Sequence, residues 1–304
     1  MKTPLLKSSV VGRRPAAARF CTHASPNPTM VNKAREAGLL AAVLTFRPHT
    51  ARVFAKEYAP PLITTYAERA ALIRTLGPDL LVEQTFDPGV AEMSAEEFTG
   101  SFLRGLMNAK AVFVGHDFSY GRGRAGTVET LRAFCNREGL FVEVVPQVRT
   151  HEIPVSSTRI REFIHEGNME GAALLLGRRY GIRGRVVPGV GRGRQLGFPT
   201  ANIEGDWEIT PPSGVYAAFL HVGTRGGERL NAAVNIGTNP TFGEGPMTVE
   251  AFILDFSGDI YGVDVALEFV HRMRAEQRFE SAGALAKRIA DDVAAIGPLL
   301  AGVP

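Results

Sequence analysis

Cysteine is scarce: the 304 residues hold two, Cys21 and Cys135. That excludes a disulfide framework and fits a reducing compartment, so a cytoplasmic setting is expected. No apolar run approaches the roughly 18 residues of a membrane span. The longest, "AGLLAAVLTF" at Ala37–Phe46, reads as a helix end followed by a buried strand, and no membrane partner is expected. Acid is missing before Glu36, whereas seven Lys and Arg fall in residues 1–35. Removing those seven from the 34 basic residues leaves 27 against 31 acids, so the body of the protein is mildly acidic despite a pI near 9.0. That balance supplies no basic groove, and nucleic acid is not expected as a partner. No Gly-Lys-Ser/Thr occurs, which excludes a Walker A phosphate loop.

What is present divides in two. A chain of 304 residues is long for one core, and about two domains is the natural expectation. Residues 1–28, rich in Arg, Ser, Ala and Pro, have the composition of an organellar transit peptide. A non-native start and a disordered basic arm fit equally, and the segment is set aside from the fold. Residues 29–177 alternate strand and helix: "LLAAVLTF", "TYAERAALIRTL", "DLLVEQTF", a capping box of Ser94 with Glu97, "AVFVG", "TVETLRAFCNREG" and "LFVEVVP". Continuous apolar strands joined by helices predict a parallel sheet with crossover helices. Two short helices near Ser157–Glu166 and Met169–Leu176 close this half. Residues 183–304 read as successive short strands between Gly, Pro and Asn turns, hence a small antiparallel β-barrel, with a C-terminal helix at Ser281–Ile296.

Four stretches carry polar chemistry. "GVGRGRQLGFPTAN" places Gly189, Gly191 and Gly193 with Arg192 and Arg194 ahead of a turn set by Pro199. Glycines admit backbone N–H groups to a polyphosphate, and the arginines neutralise it. Thr200 and Asn202 are hard oxygen donors suited to Mg²⁺ shared with phosphates. A basic turn whose Thr and Asn bond only local backbone is an equal reading of this stretch alone. In "TVEAFILDF", strand alternation sets Glu250 opposite the apolar face, as a general base or an ordinary exposed strand residue. "VFVGHDFSYGRGRAGT" puts Asp117 and Phe118 beyond a strand's carboxyl end, where open α/β sheets bind ligands. "VSSTRIREF" sets Ser157 and Thr158 before Arg161, an anion site or simple N-capping.

In this order the pieces resemble the bifunctional riboflavin kinase/FAD synthetase family of bacterial type, from about Met30 to the C-terminus. "LTFRPH", "LITTYAERAALI", "FVGHDFSYGRGRAGT" and "VSSTRIR" resemble its adenylyltransferase module. "GRGRQLGFPTANI", "PPSGVYAA", "NIGTNPTF", "VEAFILDF" and "RAEQRFESAGAL" resemble its kinase module. The resemblance implies an α/β Rossmann-like nucleotidyltransferase domain followed by an all-β barrel kinase. It implies phosphorylation of riboflavin to FMN by ATP, with Thr200 and Asn202 at Mg²⁺, the Gly189–Arg194 loop and Pro199 at ATP, and Glu250 at the attacking hydroxyl. It further places Arg274 and Arg278 in a flap over the flavin. Asp117, Phe118, Ser157, Thr158 and Arg161 would serve flavin or nucleotide in the synthetase half, which turns FMN into FAD.

One departure stands out. That half opens in the family with a strand, a Gly-Asn-Phe-Asp-Gly turn and a His-x-Gly-His pair that contacts ATP phosphates. This chain has "RFCTHASPNPTMVNKA" there, and His23 is not part of the pattern. Adenylylation is therefore expected to be impaired, and the first sheet strand to be absent, leaving a neighbouring edge exposed. Two competing readings are a catalytically silent flavin- or nucleotide-binding protein, opposed by the intact Thr200, Asn202 and Glu250, and a nucleic-acid binder using the basic arm.

Overall fold

The computed structural model describes residues 18–22, 28–54, 56–223, 227–238 and 247–303. Contacts divide the chain into two compact units: the residues up to Pro61 with Tyr66–Val148, and Leu62–Thr65 with Arg149 onward.

The first unit is built on five parallel strands: β1 (Ala18–Thr22), β2 (Leu40–Arg47), β3 (Leu80–Thr85), β4 (Ala109–Gly115) and β5 (Phe141–Val145), in the order β3-β2-β1-β4-β5. β2 is buried from Ala41 to Phe46, as a strand covered on both faces must be. One face packs Ala41, Val43, Ala111 and Phe113 against Met30, Val31 and Ala34 of the Pro28–Glu36 helix. The other packs Leu44, Val112 and Val114 against Phe98, Phe102, Leu131 and Phe134. The expected capping box forms: Glu97 N–H donates to Ser94 Oγ at 3.2 Å and Ser94 N–H to Glu97 Oε2 at 2.8 Å. Cys135 is unpaired in this core, and burial pushes its thiol up to about 11.

The expected loss of the first strand is wrong. Ala18–Thr22 forms β1 in the middle of the sheet, in parallel register with β2 from Ala18↔Leu40 to Cys21↔Val43 and with β4 from Ala18↔Ala109 to Thr22↔Val114. The neighbouring edges are thus paired, which satisfies backbone groups that would otherwise face an apolar interior. A five-residue strand is swamped by the Arg-, Ser- and Pro-rich composition around it, so the stretch did not read as structure. Residues 1–17 and 23–27, with His23, lie outside the described residues.

The second unit begins with a short hairpin, β6 (Arg149–Thr150) and β7 (Ile153–Pro154). Six strands follow: β8 (Gly181–Val187), β9 (Thr200–Glu204), β10 (Gly214–Val222), β11 (Arg229–Thr238), β12 (Met247–Ile253) and β13 (Asp264–Ala275). They close an antiparallel barrel in the order β10-β11-β12-β9-β8-β13. Tyr216, Ala218, Leu220, Val234, Ile236, Val249, Ala251 and Phe269 fill its interior. The boundary differs from the expected 177–183, because the Ser157–Glu166 and Met169–Leu176 helices bury Ile160, Phe163, Ile164, Met169, Ala172 and Leu175 in this same core. Val215, Ala217 and Phe219 project from the opposite face of β10 and are covered by Ile296 and Leu300 of the Ala282–Ala301 helix. That helix outruns its expected end at Ile296 despite Pro298, because Leu300 is anchored in the apolar contact.

Candidate active site

Strand pairing assembles the site. β12 buries Val249, Ala251 and Ile253 inside the barrel and turns Thr248, Glu250 and Phe252 to its outer face. On β9, Asn202 pairs with Glu250 and Thr200 with Phe252. Thr200 Oγ1 thereby donates to Glu250 Oε2 at 3.3 Å. Phe198 meets Phe252 edge-on, with centroids 5.4 Å apart, and fixes the approach to β9.

The glycine loop lies directly on these groups. A Cβ added at Gly189 would stand 1.9 Å from Asn202 Nδ2. One at Gly193 would stand 2.3 Å from the Phe198 carbonyl oxygen and 3.2 Å from Thr200 Oγ1. Gly191 sits at φ +76°, in the left-handed region that glycine adopts freely. Arg192 opens the single-turn Arg192–Gln195 helix, while Arg194 and Pro199 are exposed.

A cavity of about 300 Å³ runs from Gly193, Thr200 and Glu250 across the outer face of β11 to the C-terminal helix. Phe198, Phe252, Phe279, Leu285 and Ile289 supply apolar wall, and Asn235, Thr248 and Glu276 supply polar groups that the sequence reading did not single out. The detectable signal for Asn235 is its place in "NAAVNIGT", a polar residue on the same alternating face as Ala233 and Gly237. Arg274 lines the far end, yet its guanidinium is engaged: Nε and Nη2 reach Asp292 Oδ2 at 2.9 and 2.7 Å, with side-chain exposures of 11% and 7%. It clamps the C-terminal helix to β13. Arg278 is exposed and outside the cavity lining.

The matching family models are riboflavin kinase, over residues 176–300, and FAD synthetase, over residues 23–159. The bifunctional riboflavin kinase/FMN adenylyltransferase of Bacillus subtilis is 34% identical over 270 residues, covering 85% of this chain and 82% of that protein. The chain belongs to the bifunctional riboflavin kinase/FMN adenylyltransferase family. It is a transferase of flavin-cofactor biosynthesis. The Escherichia coli K12 member of this family is 32% identical over 258 residues, 85% of this chain and 82% of that protein. A solved Streptococcus pneumoniae structure described as a macrolide-efflux protein is 28% identical, with a TM-score of 0.78 over 91% of this chain and 93% of that one. Among the described residues, no helix is long and apolar enough to cross a membrane.

The residues expected to serve the family's second activity are divided between the units. Asp117 is exposed just beyond β4, and Phe118 stacks on Tyr120 with centroids 5.3 Å apart; both belong to the first unit. Ser157 and Thr158 are exposed in the first turn of a helix of the second unit. Its cap is Ser156, whose Oγ accepts from Arg159 N–H at 3.2 Å, so simple N-capping describes that serine. Arg161, one turn on, is half-buried, and burial holds its guanidinium below the ordinary arginine value. Residues 23–27, directly after β1, and residues 239–242 of the "TNPTF" part of the kinase motif lie outside the described residues.

Proposed function

We propose that the second unit transfers the γ-phosphoryl group of ATP to the terminal ribityl hydroxyl of riboflavin. The hydroxyl oxygen forms a bond to the γ-phosphorus as the bond to the β–γ bridging oxygen breaks, and FMN and ADP leave. Glu250 accepts the hydroxyl proton, and Thr200, donating to Oε2 at 3.3 Å, aims its carboxylate. That contact carries the proposal, because it joins the two motifs at one point on the barrel. The Gly189–Arg194 backbone covers the phosphates, where any Cβ at Gly193 would collide with the Phe198 carbonyl. Such catalysis is mainly positioning and charge neutralisation.

The donor set beside the loop fits Mg²⁺: a Thr200 hydroxyl, an Asn202 amide and a neighbouring carboxylate are all hard ligands. Bound there by Thr200 and Asn202, the ion would neutralise phosphate charge. The apolar wall of Phe279, Leu285 and Ile289 suits the flavin ring, and Arg274 serves that end as a helix clamp. The small-molecule partners are riboflavin, FMN and ATP, in a cytoplasmic setting that the scarcity of cysteine fits. In the first unit, Asp117 and Phe118 border the ligand side of a complete sheet, but without the histidine pair adenylylation of FMN is slow.

Glu250→Ala tests the kinase reading. Loss of a positioned base lowers FMN formation about 10²–10⁴-fold, while the half-exposed side chain leaves the melting temperature near wild type. FMN formation at near-normal turnover would overturn the role.

A further inference from the structure

The barrel register lays a row of side chains across the roof of the cavity. Asn202 pairs with Glu250, Glu250 with Asn235, Asn235 with Val215, and Val215 with Arg274, spanning β9, β12, β11, β10 and β13. Adjacent strands lie about 4.8 Å apart, so Asn235 stands one spacing from Glu250 and Arg274 about 14 Å away. Glu250, Asn235, Val215 and Arg274 all line the cavity. The row thus measures distance from the reacting hydroxyl toward the apolar, helix-covered end.

We propose that Asn235 recognises the secondary hydroxyls of the ribityl chain and sets the enzyme's preference for a polyol. The inference rests on the kinase reading above. With the terminal hydroxyl at Glu250 and the ring against Phe279 and Leu285, the intervening carbons must cross β11. Asn235 is the polar cavity-lining group at that crossing, paired directly opposite Glu250. Its amide carries both a donor and an acceptor, and among the described residues no side chain engages either. Beside it, a Cβ added at Gly237 would stand 3.5 Å from Asn235 Nδ2 and 2.8 Å from Glu276 Oε1. The missing side chain leaves a polar notch where a hydroxyl fits. A chain without secondary hydroxyls would desolvate that amide and leave it unpaired, which costs affinity.

The test compares riboflavin with a flavin bearing an ω-hydroxypentyl chain, of equal length and with the same terminal hydroxyl. Wild-type enzyme is expected to favour riboflavin about tenfold in kcat/KM, one hydrogen bond's worth. Asn235→Ala should lose about tenfold on riboflavin, change little on the analogue, and leave KM for ATP unaltered. Asn235→Ser, retaining a small donor and acceptor, should restore part of the preference. Equal losses on both flavins would overturn the proposal and mark Asn235 as a support for Glu250. So would a wild-type enzyme indifferent to the secondary hydroxyls, a result independent of whether the alanine variant folds. Failure of the wild type to phosphorylate either flavin would instead refute the kinase reading itself.

Discussion

The two units differ in what each has kept together. In the second, residues separated by up to about 80 positions converge: Gly193, Thr200, Glu250 and Arg274 border one cavity on one barrel face. In the first, the sheet is complete, with β1 restored to its centre, yet the polar motif that should follow β1 is not in the sequence. A parallel sheet needs only apolar, β-prone residues at the right spacing, and "ARFCT" suffices for a short central strand. Phosphate chemistry needs particular groups at particular atoms. Fold and chemistry therefore make separate demands on a sequence, and an intact scaffold is no proof of activity.

The sharpest way to break that contrast is to assay the two reactions separately on the same preparation. With riboflavin and ATP, FMN should accumulate. With FMN and ATP, FAD should form at least about 10²–10³-fold more slowly, since each missing transition-state donor typically costs that much. Chromatographic separation of the two flavins gives both rates. FAD formation at a rate comparable to FMN formation would show that the first unit stabilises the adenylyl transfer by other groups.

The second contrast is structural. The Arg274–Asp292 pair is nearly buried and holds the helix that closes the flavin end of the cavity. Asp292 is also ion-paired with Arg288, whose Nε lies 3.3 Å from Oδ1, so one carboxylate serves two cations. Asp292→Asn leaves both cations without their counter-charge, and breaking a buried pair in this way costs about 3–5 kcal/mol. The expected result is a clear fall in the melting temperature of the second unit and a higher KM for riboflavin. An unchanged melting temperature would mean that Ile296 and Leu300 alone dock the helix.

Much of this was legible from residues alone. Period-two and period-3.6 patterns yielded the parallel sheet, the barrel and the C-terminal helix, and alternation on β12 correctly set Glu250 against Val249, Ala251 and Ile253. Three things were hidden. β1 is too short to stand out from its basic surroundings. The Ser157–Glu166 and Met169–Leu176 helices look like the tail of the α/β half, and only their contacts reveal that they bury their apolar faces in the barrel's core. Asn235 was hidden because its importance lies in register: nothing in "AAVNIG" says which strand pairs with β11, and only the β11–β12 ladder brings Asn235 opposite Glu250.

Gly193 offers the finest probe of the contrast, because it separates backbone approach from side-chain chemistry. Its φ lies outside the left-handed region, so alanine costs little in conformation there. The difficulty is space: the new Cβ would stand 2.3 Å from the Phe198 carbonyl oxygen, a backbone atom that cannot swing aside as a long side chain can. The loop must lift from Thr200 to make room. Gly193→Ala should therefore raise KM for ATP and lower kcat/KM for FMN formation about tenfold, the effect of one weakened phosphate contact. Fluorescence of bound riboflavin without nucleotide should hardly change, because the apolar wall lies at the other end of the cavity. Equal loss of flavin and nucleotide binding would mean that the loop supports the whole cavity rather than its phosphate end alone.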